Sequence, residues 1–326
     1  MSVRRAVVAL AFVCAGALTG CSTAAEVQDT PAAPAPTPSL GAAETPTASC
    51  PDGHPRTASY PALKLTDRST GLLAEIVKRK RLVVGVSADS YLLGSLVAGK
   101  VDQFQGFDVD LAREVARDLL GDPTKVTFKV ITAADRPNAV NAGVAKQGVD
   151  LVARNYTMTC ARWNQVSFSA AYLVAAQDTL VPAKASETSL AQLGSDHRTV
   201  CAPLGSTSLN ALPRLARGVV PYGADQHTGC LALLQEGRVD AISGDNTVLA
   251  GLAAQDKGTK VLKEKLTQEP YGLAAAKAHP ELAQYVNAVL ERVIRDGTWQ
   301  KLYDRYFAAP LGAQSPPKPD LSRPVP

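Results

Sequence analysis

One stretch of the sequence, residues 149–162 (VDLVARNYTMTCAR), combines an apolar run with side chains that can bind an anion. Its first five residues are typical of a buried strand, and the chain then turns polar at Arg154. Thr157 adds a hydroxyl group, and the planar fork of Arg162 can donate two parallel hydrogen bonds to one carboxylate. Polar groups that follow a buried strand lie where α/β sheets place their sites. The stretch predicts a carboxylate site, and the alternative is a surface loop with a solvated arginine.

Two further segments place polar groups directly after predicted strands. Residues 205–208 (GSTS) follow a strand and precede an apolar periodic segment, which predicts a strand-to-helix turn with exposed N–H groups. Asp245 lies just beyond the strand predicted at 239–242. Its carboxylate can either bind a cationic group of a ligand or cap the helix predicted at 246–255.

The sequence argues against catalysis and against nucleic-acid binding. Its four histidines are scattered, and none joins a Ser or Cys with an acid in a recognisable motif. We expect no catalytic residue, no metal site and no cofactor, although an enzyme on the same fold can use Asp245 as a general acid or base. The formal charge of +4 falls to near +2 without residues 1–20, which is no nucleic-acid footprint.

The first twenty residues have the pattern of an export signal. Two arginines precede an apolar run at 6–18 that is too short to span a bilayer. The run ends in LTGC, which resembles a bacterial lipobox with Cys21 as the lipidated residue; the alternative is a plain secretory signal with an incidental cysteine. Two or three acyl chains would anchor the chain. We therefore predict an exported protein held at the outer face of the bacterial cytoplasmic membrane.

Four cysteines remain after the signal and Cys21, and an oxidising compartment permits them to pair. Three pairings are possible. We favour Cys201–Cys230 within one lobe and Cys50–Cys160 between the N-terminal segment and the other lobe. A zinc site is the alternative, but no CxxC motif or neighbouring histidine supports it.

The elements that position these residues alternate between strand and helix. Residues 21–58 are rich in Ala, Pro and Thr and predict an extended tether, and the Pro-rich tail at 310–326 is expected to be loose. Between them, apolar patterns predict a largely parallel sheet with helical crossovers. Strands are predicted at 82–86, 126–131, 149–153, 179–181, 199–202, 239–242 and 271–276, and helices at 72–80, 107–119, 137–146, 190–193, 230–235, 246–255, 282–296 and 299–307.

Several motifs together resemble a known family, the polar amino-acid-binding proteins of ABC importers (solute-binding protein family 3), and in particular their glutamine- and glutamate-binding lipoproteins. The motifs extend in family order from about residue 82 to residue 307. They are QGFDVD at 105–110, VDL at 149–151, TMTCAR at 157–162, VSFS at 166–169, VCAPLGSTS at 200–208, GRVDAISGD at 237–245, LAG at 249–251, YG at 271–272 and DGTW at 296–299.

The resemblance implies a type II periplasmic-binding-protein-like fold, in which two α/β lobes are joined by a two-strand hinge and close on a ligand. Carried onto this chain, the hinge strands lie near 172–176 and 267–271. The first lobe then comprises 59–173 and 270–309, and the second lobe comprises 177–267.

The resemblance also implies roles for residues that match the family motifs. Arg162 corresponds to the arginine that binds the α-carboxylate of the ligand, with Thr157 as its partner. Asp245 corresponds to the acid that binds the α-ammonium group. In the turn 205–208, Thr207 and Ser208 are the expected contacts of the carboxylate.

Departures from the family pattern concern the side chain of the ligand. Ser87 stands where relatives that recognise an amide often carry an acid, and Arg154 can face a side-chain carboxylate or pair with an acid on the lobe surface. These two residues favour glutamate or aspartate, with glutamine and asparagine next. Tyr91 is an expected cleft residue that can instead cover the core.

The resemblance further implies a monomer that captures a free polar amino acid and delivers it to an ABC permease. The alternative is a sensor whose ligand-bound state is read by a membrane signalling protein, and an enzyme is the least favoured reading.

Overall fold

The computed structural model describes residues 49–326. The predicted signal at 1–20, the lipidation site Cys21 and the tether up to residue 48 lie outside the described residues. No helix between residues 49 and 326 has both the length and the apolar character needed to cross a bilayer.

The described chain contains alternating short strands and helices. The strands are β1 Leu82–Val86, β2 Asp89–Ser90, β3 Gly94–Leu96, β4 Phe104–Gln105, β5 Val126–Val130, β6 Leu151–Val152, β7 Val166–Phe168, β8 Leu173–Ala175, β9 Gln177–Pro182, β10 Thr199–Pro203, β11 Val220–Ala224, β12 Ala241–Asp245, β13 Thr259–Val261, β14 Glu269–Tyr271 and β15 Ala274–Ala276. The helices are α1 Gly71–Arg79, α2 Phe107–Leu120, α3 Arg136–Ala142, α4 Cys160–Trp163, α5 Leu190–Ser195, α6 Thr207–Leu215, α7 His227–Gln235, α8 Asn246–Gln255, α9 Pro280–Arg295, α10 Thr298–Tyr306 and α11 Ala308–Leu311.

Two five-stranded sheets form the centres of two lobes. The first lobe is built on the sheet β5-β1-β6-β15-β7, and the second lobe on the sheet β11-β10-β12-β9-β13. Strands β8 and β14 pair with each other as a separate antiparallel ribbon between the two sheets. This arrangement is the predicted pair of α/β lobes joined by two strands.

The prediction of largely parallel sheets is right for only part of each sheet. In the first sheet, β1 runs parallel to β5 and β6, whereas β15 is antiparallel to both of its neighbours. In the second sheet, β9 is antiparallel to β12 and β13. Both exceptional strands follow a hinge strand after one or two residues, so each enters its sheet directly from the hinge and not through a helical crossover.

The segment predicted as one strand at 271–276 is two strands. Tyr271 ends β14 in the hinge, and β15 begins at Ala274 in the first sheet. Gly272 lies between them, where a Cβ atom would come within 2.9 Å of the Phe168 side chain. The backbone at Gly272 thus packs closely against Phe168 where the chain passes from the hinge into the sheet.

The core of the first lobe includes the aromatic residues predicted near the C-terminal helices. Trp299, Tyr303 and Phe307 are buried, and Trp299 stacks on Tyr303 with ring centroids 5.2 Å apart. The indole Nε1 of Trp299 donates a 2.6 Å hydrogen bond to the carbonyl oxygen of Tyr172, just before the hinge. Helix α10 therefore ties the hinge to the core of the first lobe.

Two disulfide bonds join the pairs that we favoured from the sequence. Cys201 at β10 is bonded to Cys230 in α7, within the second lobe. Cys50 is bonded to Cys160, the first residue of α4. The second bond attaches the N-terminal segment to the first lobe.

The expectation of a loose C-terminal tail is wrong. Arg323 is buried, and its guanidinium donates to the carbonyl oxygens of Ala58 and Pro55 and pairs with Asp52. It also lies over the Trp163 ring, 4.1 Å from the ring centroid. The prediction rested on the proline content of the tail, which does not reveal that a single arginine anchors it.

Candidate ligand-binding site

Arg162 is positioned by the single turn of helix that carries it. Helix α4 begins after Thr159, whose hydroxyl oxygen accepts a 3.2 Å hydrogen bond from the Arg162 backbone N–H. The Arg162 Nη1 donates to the carbonyl oxygen of Thr157 at 2.7 Å, and its guanidinium lies over the Tyr156 ring. The guanidinium is therefore held at the edge of the first lobe that faces the cleft.

A second guanidinium, which the sequence did not single out, lies beside the first. Arg136 begins α3 and is 2% exposed. Its Nη1 donates to the carbonyl oxygens of Arg154 and Asn155, and it covers the Tyr156 ring at 4.2 Å. Burial and the nearby charge of Arg162 lower the pKa of Arg136 well below its usual value. Two cations held together in this way attract an anion.

The two lobes meet at the turn predicted at 205–208. The Gly205 carbonyl oxygen accepts from Arg162 Nη2 at 2.9 Å and from Arg136 Nη2 at 3.1 Å. Ser206 caps α6 by accepting from the Leu209 N–H. The Thr207 hydroxyl donates to Glu269 of the hinge strand β14 at 2.9 Å. The second lobe thus presents the beginning of α6 to the arginines of the first.

Asp245 is the last residue of β12, and its side chain makes no capping hydrogen bond to α8. Its Oδ2 accepts a 2.5 Å hydrogen bond from the Tyr271 hydroxyl, whereas its buried Oδ1 has no hydrogen-bond partner among the described residues. Burial, and then the negative charge of Glu269, raise the pKa of Asp245 to about 7. A ligand cation at Oδ1 would stabilise the ionised form.

Arg154 belongs to the first lobe and comes two residues after the end of β6. Its side chain is buried and lies 4.0 Å from Asp89 Oδ1, so the acid that it faces belongs to the cleft and not to the outer surface of the lobe. Asp108, which accepts from the Asn155 N–H and the Tyr172 hydroxyl, contributes a second nearby charge. Burial raises the pKa of Asp108 to about 6.

Arg136, Arg154, Arg162 and Asp245 line one narrow cavity between the lobes. Of the predicted ligand-binding residues, the structure brings together Arg154, Thr157, Arg162, Thr207, Ser208 and Asp245. The cavity is also lined by residues that the sequence analysis did not select, namely Ala133, Arg136, Asn155, Pro203, Ser206 and His227. Its free volume is only about 20 Å³, room for about one water molecule, so an amino acid would fit only if the lobes moved apart.

The structure does not bring Ser87 and Tyr91 to this cavity. The Ser87 hydroxyl donates to Asp89 Oδ1 at 2.7 Å, so it supports the partner of Arg154. Tyr91 is 42% exposed, and its Cβ faces Gly251 of α8. The short strands β2, β3 and β4, which no apolar pattern predicts, carry this part of the chain away from the cavity.

Comparison with known proteins agrees with the geometry. The chain is 31% identical over 235 residues to the ABC transporter glutamine-binding protein GlnH of Bacillus subtilis, and the aligned residues cover 72% of this chain and 84% of that protein. It is 29% identical over 256 residues to the glutamate-binding protein GluB of Corynebacterium efficiens, covering 75% of this chain and 83% of that protein. The crystal structure of the solute receptor for L-cysteine of Neisseria gonorrhoeae matches with a TM-score of 0.67 and 29% identity, covering 73% of this chain and 94% of that chain.

These relatives confirm the predicted fold class, two α/β lobes of the type II binding-protein kind. The family model of bacterial extracellular solute-binding proteins, family 3, matches residues 82–309, which include the central sheets of both lobes and every residue that lines the cavity. The chain therefore belongs to family 3 of the bacterial extracellular solute-binding proteins.

Proposed function

We propose that this protein binds one polar L-amino acid in the cavity between its lobes and delivers it to an ABC importer. The observation that carries the proposal is the placement of Arg162 and Asp245 Oδ1 on different lobes but on the same cavity. The relatives named for glutamine and glutamate binding support the same class of ligand.

A free amino acid carries two opposite charges, and both must be paired when it enters a buried cavity, because an unpaired buried charge is very costly. The guanidinium of Arg162, with Arg136 beside it, suits the α-carboxylate. The unpartnered oxygen of Asp245 suits the α-ammonium group. Since the two partners belong to different lobes, the ligand stabilises the contact between the lobes.

The charges of the cavity favour an acidic side chain, glutamate or aspartate, over glutamine or asparagine. Three arginines, at 136, 154 and 162, line it with one carboxylate, Asp245. The carboxylate of Asp89 lies near Arg154, but it is occupied by the Ser87 hydroxyl and by the N–H and hydroxyl of Thr228. The proposal includes the lipid anchor on Cys21, which would hold the receptor at the membrane beside its importer.

A thermal-shift screen of the lipid-free protein against all common amino acids tests the proposal, because a ligand raises apparent stability by mass action. We expect one or a few polar L-amino acids to raise the melting temperature. Calorimetry with Arg162→Ala should then show a loss of at least about 100-fold in affinity, since a charged, largely desolvated hydrogen-bond partner is removed. Arg238→Ala, which changes an exposed arginine of the second lobe paired with Glu236, is the matched control.

No stabilisation by any amino acid, or unchanged affinity in Arg162→Ala, would contradict the proposal. The importer is tested separately in cells. Deletion of the gene should abolish uptake of the amino acid that the screen identifies, and re-expression should restore it. Uptake that does not change in the deletion strain would reject delivery to an importer and favour a sensor.

A further inference from the structure

Two buried nitrogen atoms of the cavity have no hydrogen-bond partner among residues 49–326. They are Nε of Arg154, in the first lobe, and Nε2 of His227, in the second lobe. Both side chains are more than nine-tenths buried, at 4% and 8% exposure. A buried polar atom left without a hydrogen-bond partner destabilises the protein, because the atom has lost its water and gained no other partner. The two atoms therefore define a polar subsite that is distinct from the pair Arg162 and Asp245.

His227 is fixed in this position by its neighbours. It is the first residue of α7, and its ring lies against Gly244 of β12, where a Cβ atom would come within 2.8 Å of Nε2. The next residue, Thr228, donates from its N–H and its hydroxyl to Asp89 of the first lobe. The imidazole is thus held at the place where the lobes meet, and Gly244 provides the space for it.

The charged groups that act on His227 are Asp89, Arg154 and Arg136. Burial and the positive charges of the two arginines lower the pKa of His227, whereas the negative charge of Asp89 raises it. The lowering prevails, and the pKa is about 4. The imidazole is therefore neutral at neutral pH when no ligand is bound. A carboxylate placed beside Nε2 would oppose burial and stabilise the protonated ring.

We propose that His227 is a specificity-determining residue that, together with Arg154, binds the side-chain carboxylate of an acidic amino acid. This inference rests on the proposed function and adds the residue that reads the ligand side chain. The Arg154 Nε–H and the His227 Nε2–H would each donate one hydrogen bond to the carboxylate. The side-chain amide of glutamine or asparagine can accept a hydrogen bond from a neutral imidazole or donate one to it. Such a ligand would therefore not stabilise the protonated ring over the neutral one.

The test is the ratio of the affinities for L-glutamate and L-glutamine as a function of pH, measured by calorimetry on the full lipid-free protein. Asp245 contacts the ammonium group that both ligands share, so its titration cancels in the ratio. If bound glutamate raises the pKa of His227 to about 6, the ratio should increase about fourfold between pH 7.5 and pH 5.5. His227→Gln keeps a polar side chain without the titration and should give a ratio that does not depend on pH.

Asp108, whose pKa is about 6 and which lies near Arg154, also titrates in this range, but it is unchanged in His227→Gln. Equal pH dependence in both proteins would therefore assign the effect to Asp108 and overturn the role of His227. A pH-independent ratio in the unaltered protein, or binding of glutamine without glutamate, would overturn it as well. Failure of all amino acids to bind is a different result and contradicts the proposed function itself.

A second measurement needs no variant and remains decisive if His227→Gln does not fold. Calorimetry in two buffers of different ionisation enthalpy, at pH 6, counts the protons that accompany binding. We expect glutamate to bring more proton uptake, or less proton release, than glutamine. Equal proton counts for the two ligands would contradict the proposal.

Discussion

The hydroxyl of Tyr271 donates a 2.5 Å hydrogen bond to Asp245 Oδ2, so the hinge strand β14 orients the acid that ends β12. The same hydroxyl lies 3.0 Å from the hydroxyl of Thr247. With Oδ2 occupied, Oδ1 is the oxygen left for a ligand cation. The hydrogen bond lowers the pKa of Asp245, but burial and the charge of Glu269 prevail and raise it to about 7.

The raised pKa predicts a pH dependence of amino-acid binding. The ammonium group needs the ionised carboxylate, so the affinity should increase with pH and level off above the pKa of Asp245. For L-glutamine, whose side chain has no charge, the affinity should be about tenfold lower at pH 6 than at pH 8. Calorimetry across this range measures it, and a flat profile would show that the ammonium does not depend on Asp245.

Two variants provide the controls for this dependence. Asp245→Asn should bind more weakly at every pH and without a pH profile, because the amide does not titrate. Tyr271→Phe removes a hydrogen bond that lowers the pKa of Asp245 and should move the midpoint of the profile to higher pH. The folding stability of the ligand-free protein should depend on pH in the opposite direction to the affinity. Because the pKa of Asp245 is raised in the folded protein, the stability contributed by its protonated form is lost as the pH rises through about 7.

The contact between the lobes at Gly205 gives a second prediction. Gly205 has φ +73°, and a Cβ atom there would lie 2.7 Å from the Ala134 Cα of the first lobe. Gly205→Ala should therefore keep the lobes from meeting and weaken amino-acid binding by at least about tenfold, an amount equal to 1.4 kcal/mol. Calorimetry measures the affinity, and small-angle scattering measures whether the ligand still compacts the protein.

The matched control is Gly237→Ala, which also lies in the second lobe. Gly237 has φ +70° and nothing within 4 Å of an added Cβ, so alanine there meets the same backbone strain without the clash. Both variants should lose about 1 kcal/mol of folding stability from the left-handed backbone, and only Gly205→Ala should also lose affinity. Equal affinities would show that the lobes do not need this contact.

The sequence identified much of the site because apolar runs predict where strands end and polar side chains follow. They marked Arg162 and Thr157 after β6 and Asp245 at the end of β12, and the family resemblance assigned these residues of two different sheets to one cleft. The same reasoning placed Ser208 at the start of α6. These are positions where a buried strand forces a polar side chain to the edge.

Arg136 and His227 could not be found in this way. An arginine at the start of a helix, next to Asp135 and Pro137, has the pattern of a solvated residue, and its burial depends on carbonyl groups supplied by the end of β6. His227 is buried because Gly244, seventeen positions along the chain, leaves room for its ring. Both depend on contacts between separate segments, which local patterns do not contain.

The disulfide between Cys50 and Cys160 predicts a link between the N-terminal segment and ligand affinity. Cys160 begins α4, a helix of four residues that also carries Arg162 and Trp163. The Trp163 Nε1 donates a 2.7 Å hydrogen bond to the Arg56 carbonyl oxygen, so the N-terminal segment holds α4 at two points. Such a short helix has little stability of its own, and its orientation depends on these contacts.

Replacing both cysteines by serine should therefore lower stability and affinity together. The bond spans 110 residues, which corresponds to about 5 kcal/mol of folding stability on the chain-entropy model. Because Arg162 loses its fixed position, the affinities for glutamate and glutamine should fall by the same factor.

In an Arg162→Lys background, the added loss of affinity should be smaller, since the two changes act on the same contact. Calorimetry at a temperature where every variant is folded measures both effects. Full additivity, or an unchanged affinity, would show that α4 keeps Arg162 in place without the disulfide.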